Sequence, residues 1–415
     1  MLKELDDFKL IGQPWYDESK WVSPMNYGKG VMTDTLSPSI YIHDVTLRDG
    51  EQTTGLNWTE EERIEIALLL NDLGVKSIEV GMPIISSDIV HACQRLSEMD
   101  LKSELVAFCR ARNDDIDYAV EAQVKKIIVE HAVNPYTNLY GYKVDETKVI
   151  DRLLKALDYA CGKGLKVTFM GWDVTRGNLE SALRVYKAVV DRMPVDSVVF
   201  TDSFGVGTPR AIGHAIRTLK KELKVPVEFH VHNEFGMAMG AVAEAVYAGV
   251  DGIHSSINGL GERTGNVATV VVVAAMELLL NVKTGTNLKL IDKVTKRVEE
   301  ITGITIPPNK PVTGKKLFWL ESGVVVQAKS RIENAGIPAA MTPYLPSVTG
   351  REPIKVVLGG SSGKENIQYY LDKHNIPYDD TFDFDGVLAK VKTLSREKRR
   401  VLEDAEFLEI VNGKR

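Results

Sequence analysis

The sequence predicts an α/β protein: a (β/α)8 TIM barrel (residues 39–282) preceded by an N-terminal arm (1–38) and followed by a mostly helical C-terminal region (283–415). Three observations lead there. Short apolar, β-branched runs alternate with longer amphipathic stretches through the middle of the chain, as strands each followed by a helix would. Eight such runs fit within about 250 residues, the size of a closed eight-stranded barrel. The first run leads into Thr46-Leu47-Arg48-Asp49-Gly50-Glu51-Gln52 and not into a glycine-rich phosphate turn, which disfavours an open doubly wound sheet.

In chain order, strands are expected at 39–46, 77–83, 104–110, 125–132, 166–173, 197–203, 227–234 and 252–259. Helices are expected at 60–73, 114–122, 146–162, 179–192, 209–223, 236–248 and 265–280. The first helix has the clearest ends. Thr59 followed by Glu62 makes a capping box, in which each side chain satisfies a backbone N–H left open by the helix terminus, and Gly74 supplies the stop. The arm carries Trp15, Tyr16, Trp21 and Pro24, too many large rings for a free tail, and is expected to dock. Beyond the barrel, the basic run at 396–400 reads as a solvated helix face.

Composition bounds the function. Hydrophobic residues make up 44% and charged residues 26%, the balance of an ordinary globular protein. A net charge of -6 argues against a nucleic-acid partner. Three cysteines, Cys93, Cys109 and Cys161, lack metal-finger spacing and make no disulfide framework, so a reduced compartment is expected. No run reaches the length of a membrane span and the acidic first residues do not resemble a signal peptide. A cytoplasmic protein with no membrane partner is the expectation.

The most informative local feature is Phe229-His230-Val231-His232-Asn233. On a strand, residues two apart face the same side, so both imidazoles point one way. Alone, such a pair is equally a hydrogen-bonded core pair. Barrel chemistry, however, gathers at the C-terminal ends of the strands. Strand one ends near Arg48 and Asp49, and strand eight runs into Gly259-Leu260-Gly261-Glu262-Arg263-Thr264-Gly265-Asn266. Closure makes strand one a neighbour of strand eight and strand eight a neighbour of strand seven. Asp49, His230, His232 and Asn266 are therefore expected to converge as a mixed nitrogen–oxygen site suited to manganese, zinc or magnesium. Arg48 beside it suits a planar carboxylate or a developing oxyanion, and the set suggests chemistry next to the carbonyl of a 2-oxo acid. Plainer readings stand beside these. Asp44 is expected to anchor the loop that follows it, Glu262 and Arg263 to pair with each other, and Glu79 is open to a role as a buried ion-pair partner.

At these residues the chain resembles the metal-dependent barrels called DRE-TIM metallolyases. The resemblance is carried by Asp44-Val45-Thr46-Leu47-Arg48-Asp49-Gly50-Glu51-Gln52, by His230-Val231-His232-Asn233, and by the 259–266 stretch. It implies Asp49, His230 and His232 as metal ligands with Asn266 at or near the metal, and Arg48 as the catalytic residue on the enolate or carbonyl. It places Gln52, Ser203 and Glu79 against substrate, although Ser203 equally suits a helix cap. After the barrel, Phe318-Trp319-Leu320-Glu321-Ser322-Gly323 and the 344–350 and 358–363 stretches resemble the lid of the 2-isopropylmalate, homocitrate and citramalate synthases. The implied reaction is a Claisen-type condensation of an acyl-CoA, expected to be acetyl-CoA, with a 2-oxo acid, giving a 2-alkylmalate or homocitrate-like product. A lyase or aldolase using the same enolate is the alternative, and a barrel that has lost catalysis a third. Tyr344 is the implied acid–base residue of the lid, and a homodimer the implied assembly. Two departures bear on the reaction. The lid histidine is missing, with Leu320 to Val325 in its place, and strand five carries Trp172-Asp173 where the synthases usually carry Glu-Asp.

Overall fold

The computed structural model describes residues 9–33 and 35–413, the side chain of Ser330 excepted. The chain forms two compact units, one of residues 25–306 and one that joins 9–24 to 307–413.

The first unit is a closed barrel of eight parallel strands: β1 (Tyr41–Asp44), β2 (Ser77–Gly81), β3 (Glu104–Arg110), β4 (Lys126–Ala132), β5 (Lys166–Trp172), β6 (Ser197–Asp202), β7 (Val227–Val231) and β8 (Gly252–Ser255). Each strand pairs with the next, and β8 pairs with β1 in the register Gly252↔Tyr41 to Ser255↔Asp44. Helices α1 (Glu60–Leu73), α2 (Ser87–Ser97), α3 (Asn113–Glu121), α4 (Glu146–Gly162), α5 (Leu179–Val190), α6 (Pro209–Glu222), α7 (Ala238–Tyr247) and α8 (Thr269–Leu279) follow the strands in turn. The sequence reading lacked α2. Its Ser86 side chain accepts from Asp88 N at 3.1 Å as an N-terminal cap, and Ile89, Val90, Ala92, Cys93 and Leu96 are buried along it.

Strands β1, β7 and β8 stop two, three and four residues short of their expected ends, and after β1 and β8 a turn takes over. After β1 the backbone turns at once, with Arg48 N and Gly50 N both donating to Val45 O at 3.1 and 3.0 Å. After β8 the chain turns through Asn258 at φ 60°. The turn after β1 is tied down from below. Arg63 of α1 is buried and donates to Leu47 O at 2.7 Å, Val80 O at 2.9 Å and Glu51 Oε1 at 2.6 Å. Asp44 anchors the same turn, accepting from Thr46 N at 2.8 Å and Thr269 Oγ1 at 2.9 Å. The α1 capping box forms as expected: Thr59 N donates to Glu62 Oε2 at 2.9 Å and Glu62 N to Thr59 Oγ1 at 3.3 Å. Gly74 ends the helix at φ 92°.

This unit continues past residue 282 into α9 (Ile291–Thr302), because Arg297 pairs with Glu65 of α1 through two bonds of 2.6 and 3.0 Å. In the second unit, α10 (Gly323–Asn334), α11 (Lys364–Lys373), α12 (Phe384–Lys398) and α13 (Asp404–Val411) share a core that includes Leu358, Ile367, Tyr370, Phe407 and Ile410. The aromatic segment belongs to this unit: Trp21 N donates to Pro343 O at 3.0 Å. The basic run at 396–400 is less free than a solvated face, since Lys398 and Arg400 both pair with Glu406. No helix among the described residues is long and apolar enough to cross a membrane.

Candidate active site and metal centre

Side chains that alternate along the strands place one set at the C-terminal mouth of the barrel. A cavity of about 430 Å³ opens there. On one side it is lined by Arg48, Asp49, Gln52, His230 and His232, on the other by Phe108, Glu130, Met170 and Trp172, with Thr201 and Ser203 of the β6 end between them.

His230 and His232 turn their Nε2 atoms to within 3.2 Å of each other. Both lie near Asp49 Oδ2, at 3.8 and 3.7 Å. Donor atoms held about 2.0–2.2 Å from one divalent cation stand roughly 2.8–3.6 Å apart, depending on coordination geometry, so the three atoms match such a cation with little adjustment. Burial, and then the neighbouring His232 and His254, hold His230 well below the usual imidazole range, which keeps it neutral and able to donate its lone pair. Asn266 completes the set. Its Nδ2 donates to Asp49 Oδ1 at 2.8 Å and to Leu260 O at 2.9 Å, two acceptors that fix the amide's orientation. Its Oδ1 is buried with no partner among the described residues. A buried amide oxygen beside two imidazoles and a carboxylate fits a divalent cation. Gly261 makes this approach possible: a Cβ there would sit 2.3 Å from Asn266 Nδ2 and 2.6 Å from Asp49 Oδ1.

Arg48 is held from two sides. Nε donates to Glu79 Oε2 at 2.5 Å and Nη1 to Asp49 Oδ2 at 2.8 Å, while Nη2 is buried without a partner among the described residues. Burial opposes its charge, but Glu79 and Asp49 outweigh that and keep it cationic. Glu79 is fully buried and does not line the cavity; its oxygens go to Arg48 and to His43 Nε2 at 3.1 Å. The ion-pair reading of Glu79 is thus the one its geometry supports. Burial works against its charge too, yet Arg48, His43 and His254 hold the carboxyl well below the usual carboxylate range.

Glu79 belongs to a second buried cluster beneath the first. His43 and His254, Cα partners across the β1–β8 seam, stack at 4.1 Å with 8° between their planes. Glu79 and Glu228 flank them, with His254 Nε2 2.9 Å from Glu228 Oε2. Although His43, Glu79 and His254 bring three donors together, a cation on the lone pair of one ring would lie in that ring's plane. It would then lie far out of the plane of the parallel ring, so the stack does not suit shared coordination.

Ser203 Oγ accepts from Asp173 N at 2.9 Å and lines the cavity, while Thr208 occupies the cap position of α6. The helix-cap alternative for Ser203 is therefore not what forms. Asp173 is committed to Arg176 at 2.7 and 2.8 Å. Glu262 and Arg263 pair at 3.0 Å as expected. Tyr344 lies in the second unit, its ring meeting Phe318 edge-on at 5.6 Å, and burial raises its hydroxyl pKa despite the nearby Arg351. That suits an acid better than a base. Three polar or charged residues of the cavity lining were absent from the sequence reading: Thr201, Arg110 and Glu130. Thr201 was findable, since it stands two residues before Ser203 on the same face of β6.

Residues 39–298 match the family described as HMGL-like. The chain belongs to this family, as the DRE-TIM motifs led one to expect. It is 36% identical over 377 residues to a homocitrate synthase of Methanocaldococcus jannaschii, covering 90% of each chain. It is 35% identical over 380 residues to a 2-isopropylmalate synthase of the same organism, covering 90% of this chain and 72% of that one. A putative (R)-citramalate synthase of Archaeoglobus fulgidus is 32% identical over 374 residues, with 90% and 74% covered. Among solved structures, the HMG-CoA lyase of Bacillus subtilis superposes with a TM-score of 0.60 at 18% identity, over 66% of this chain and 96% of that one. At that identity the likeness speaks to the HMGL-like barrel fold alone.

Proposed function

We propose that this HMGL-like barrel condenses an acyl-CoA, with acetyl-CoA the expected donor, with a 2-oxo acid in a metal-dependent Claisen reaction that releases CoA. The observation that carries the reading is the convergence of Asp49, His230 and His232 beside Arg48 on one cavity, with Asn266 bonded to Asp49 behind them. Relatives sharing about a third of its residues and bearing synthase names support the direction of the reaction.

Asp49, His230, His232 and Asn266 would hold a divalent metal, which when bound would supply a Lewis acid for the 2-oxo carbonyl. The chain's own groups do the rest. Arg48 offers Nη2 to the substrate carboxylate or to the oxyanion that develops on the carbonyl, a charge-assisted bond in a site with little water. Glu79 and Asp49 hold that guanidinium in one orientation before substrate arrives. Gln52, Thr201 and Ser203 present polar groups that fix the oxo acid, and Met82, Ile84 and Phe108 exclude water. Tyr344 is proposed as an acid and the homodimer as the assembly, both from the synthase resemblance; light scattering on the purified protein checks the latter.

The test is CoA-thiol release from purified protein with acetyl-CoA and a panel of 2-oxo acids, each with manganese, zinc or magnesium. Release that depends on one oxo acid and disappears in His230→Ala and Arg48→Ala establishes the reaction and names its substrate. Silence across the panel while metal still binds rejects it. Trp172 in the cavity wall, at the position where the synthases usually carry glutamate, favours carbon–carbon cleavage as the second reading. The same assay run in the cleavage direction decides it.

A further inference from the structure

A Claisen condensation needs a group that removes a proton from the acyl methyl, and the cavity offers few. Asp49 accepts from Arg48, Asn266 and Glu262 N. Glu262 is paired with Arg263, and Asp173 with Arg176. His230 and His232 face Asp49 and each other. One carboxylate in the lining is left: Glu130, on the inward face of β4, with no side-chain partner among the described residues.

Its placement suits the task. Glu130 stands in register with Arg110 of β3 and Met170 of β5, on the wall opposite the strands that carry Asp49 and the two histidines. A 2-oxo acid held by that triad and Arg48 would lie across the cavity from Glu130, with the space for an acyl methyl between them. Arg110 does not neutralise Glu130, because its guanidinium is committed to both oxygens of Asp115 at 2.9 and 2.8 Å.

We propose that Glu130 is the catalytic base that takes the proton from the acyl-CoA methyl group, an assignment that rests on the condensing reaction proposed above. The methyl C–H bond breaks and its proton passes to a Glu130 carboxylate oxygen. The electron pair becomes the enolate C=C, with the thioester oxygen taking the charge. The enolate carbon then bonds to the oxo carbon, whose carbonyl pair moves onto its oxygen, and that oxygen takes a proton from solvent, to which Glu130 returns its own. Water hydrolyses the thioester and CoA leaves as the thiol. The surroundings tune the group. Burial raises its pKa to about 7, opposed by Arg48 and assisted by the negative charges of Glu79 and Asp49. A carboxylate titrating there is strong enough as a base and still ionised in part at neutral pH.

The experiment compares wild type, Glu130→Gln and Glu130→Asp for thiol release across pH 5.5–8.5 with the oxo acid that wild type accepts. Metal affinity and oxo-acid affinity are measured by calorimetry alongside. For Glu130→Gln the expectation is a kcat loss on the order of 10²–10⁴ with both affinities unchanged. Wild-type kcat should rise with pH through the neutral range. Glu130→Asp should recover part of the rate, with a larger isotope effect from deuterated acetyl-CoA because a shorter base makes proton transfer slower. A Glu130→Gln enzyme within about threefold of wild type overturns the assignment, as does a loss that tracks a fall in metal or oxo-acid affinity. A wild-type protein that binds metal but releases no thiol overturns the condensing reaction itself, and this assignment with it.

Discussion

Substituting Gly261 by alanine tests the proposed metal centre without replacing any proposed ligand. The added Cβ would lie 2.3 Å from Asn266 Nδ2 and 2.6 Å from Asp49 Oδ1, where ordinary contact begins near 3.4 Å. Asp49 must therefore retreat by about 0.8 Å and Asn266 by about 1 Å, and φ at +150° adds strain for any L residue. Metal sites tolerate displacements of about 0.2 Å. Loss of a correctly placed supporting group typically weakens metal binding about 10–100-fold, or roughly 1.4–2.7 kcal/mol. The assay is calorimetric titration of manganese or zinc into chelator-stripped protein. Gly164→Ala is the control: its φ of +79° also strains an L residue, by about 1–2 kcal/mol, but its Cβ meets nothing within 4 Å. The control should lose stability and keep its metal affinity. Equal affinity in Gly261→Ala and wild type, with the fold intact, would refute the assignment of Asp49 and Asn266 to the metal.

Three further outcomes follow from local geometry. Thr59→Ala removes one half of the α1 capping box and should lower stability by about 1 kcal/mol in urea unfolding, with metal affinity unchanged; no shift in midpoint would mean that the cap is idle. Glu79 is held well below its usual value of 4.5, so the stability it contributes is complete above that pH and is lost as pH falls through and below it. Metal-free protein should therefore unfold progressively more easily below pH 4.5, and Glu79→Gln should flatten that part of the curve. Finally, manganese or zinc at about 100 times its dissociation constant should stabilise the fold by about 2.7 kcal/mol, an increment that EDTA abolishes and His232→Ala never shows.

Much of the site was legible because its spacing is local. His230 and His232 reveal their common face by a period of two, and the 44–52 and 259–266 stretches are long enough to be specific. Strand ends were less legible. The turn at Val45 and the positive φ of Asn258 are set by hydrogen bonds across the barrel mouth, which one strand's own pattern does not contain. Helix α2 was missed although Ser86 caps it and its buried residues keep helical spacing, because the turn at Pro83–Ile85 interrupts the pattern just before it. Glu130 reads as an ordinary polar residue within Lys126–Ala132; only the register with Arg110 and Met170 turns it into a cavity wall. His43, Glu228 and His254 look unrelated along the chain. Barrel closure brings them together.

That closure orders events in time as well as atoms in space. The seam between β8 and β1 is fastened by contacts such as Ile257 N to Thr46 Oγ1 at 2.8 Å, made by residues 211 apart in the chain. Pairing so remote is entropically the most demanding step of assembly and is expected to come late. Asp49 lies on one side of that seam, His230 and His232 on the other, and Asn266 just beyond it. A growing or refolding chain therefore has the pieces of the proposed metal site long before they meet. Metal capture by that site would mark the moment the ring shuts, so a stopped-flow signal from the bound ion would time the last topological step of folding.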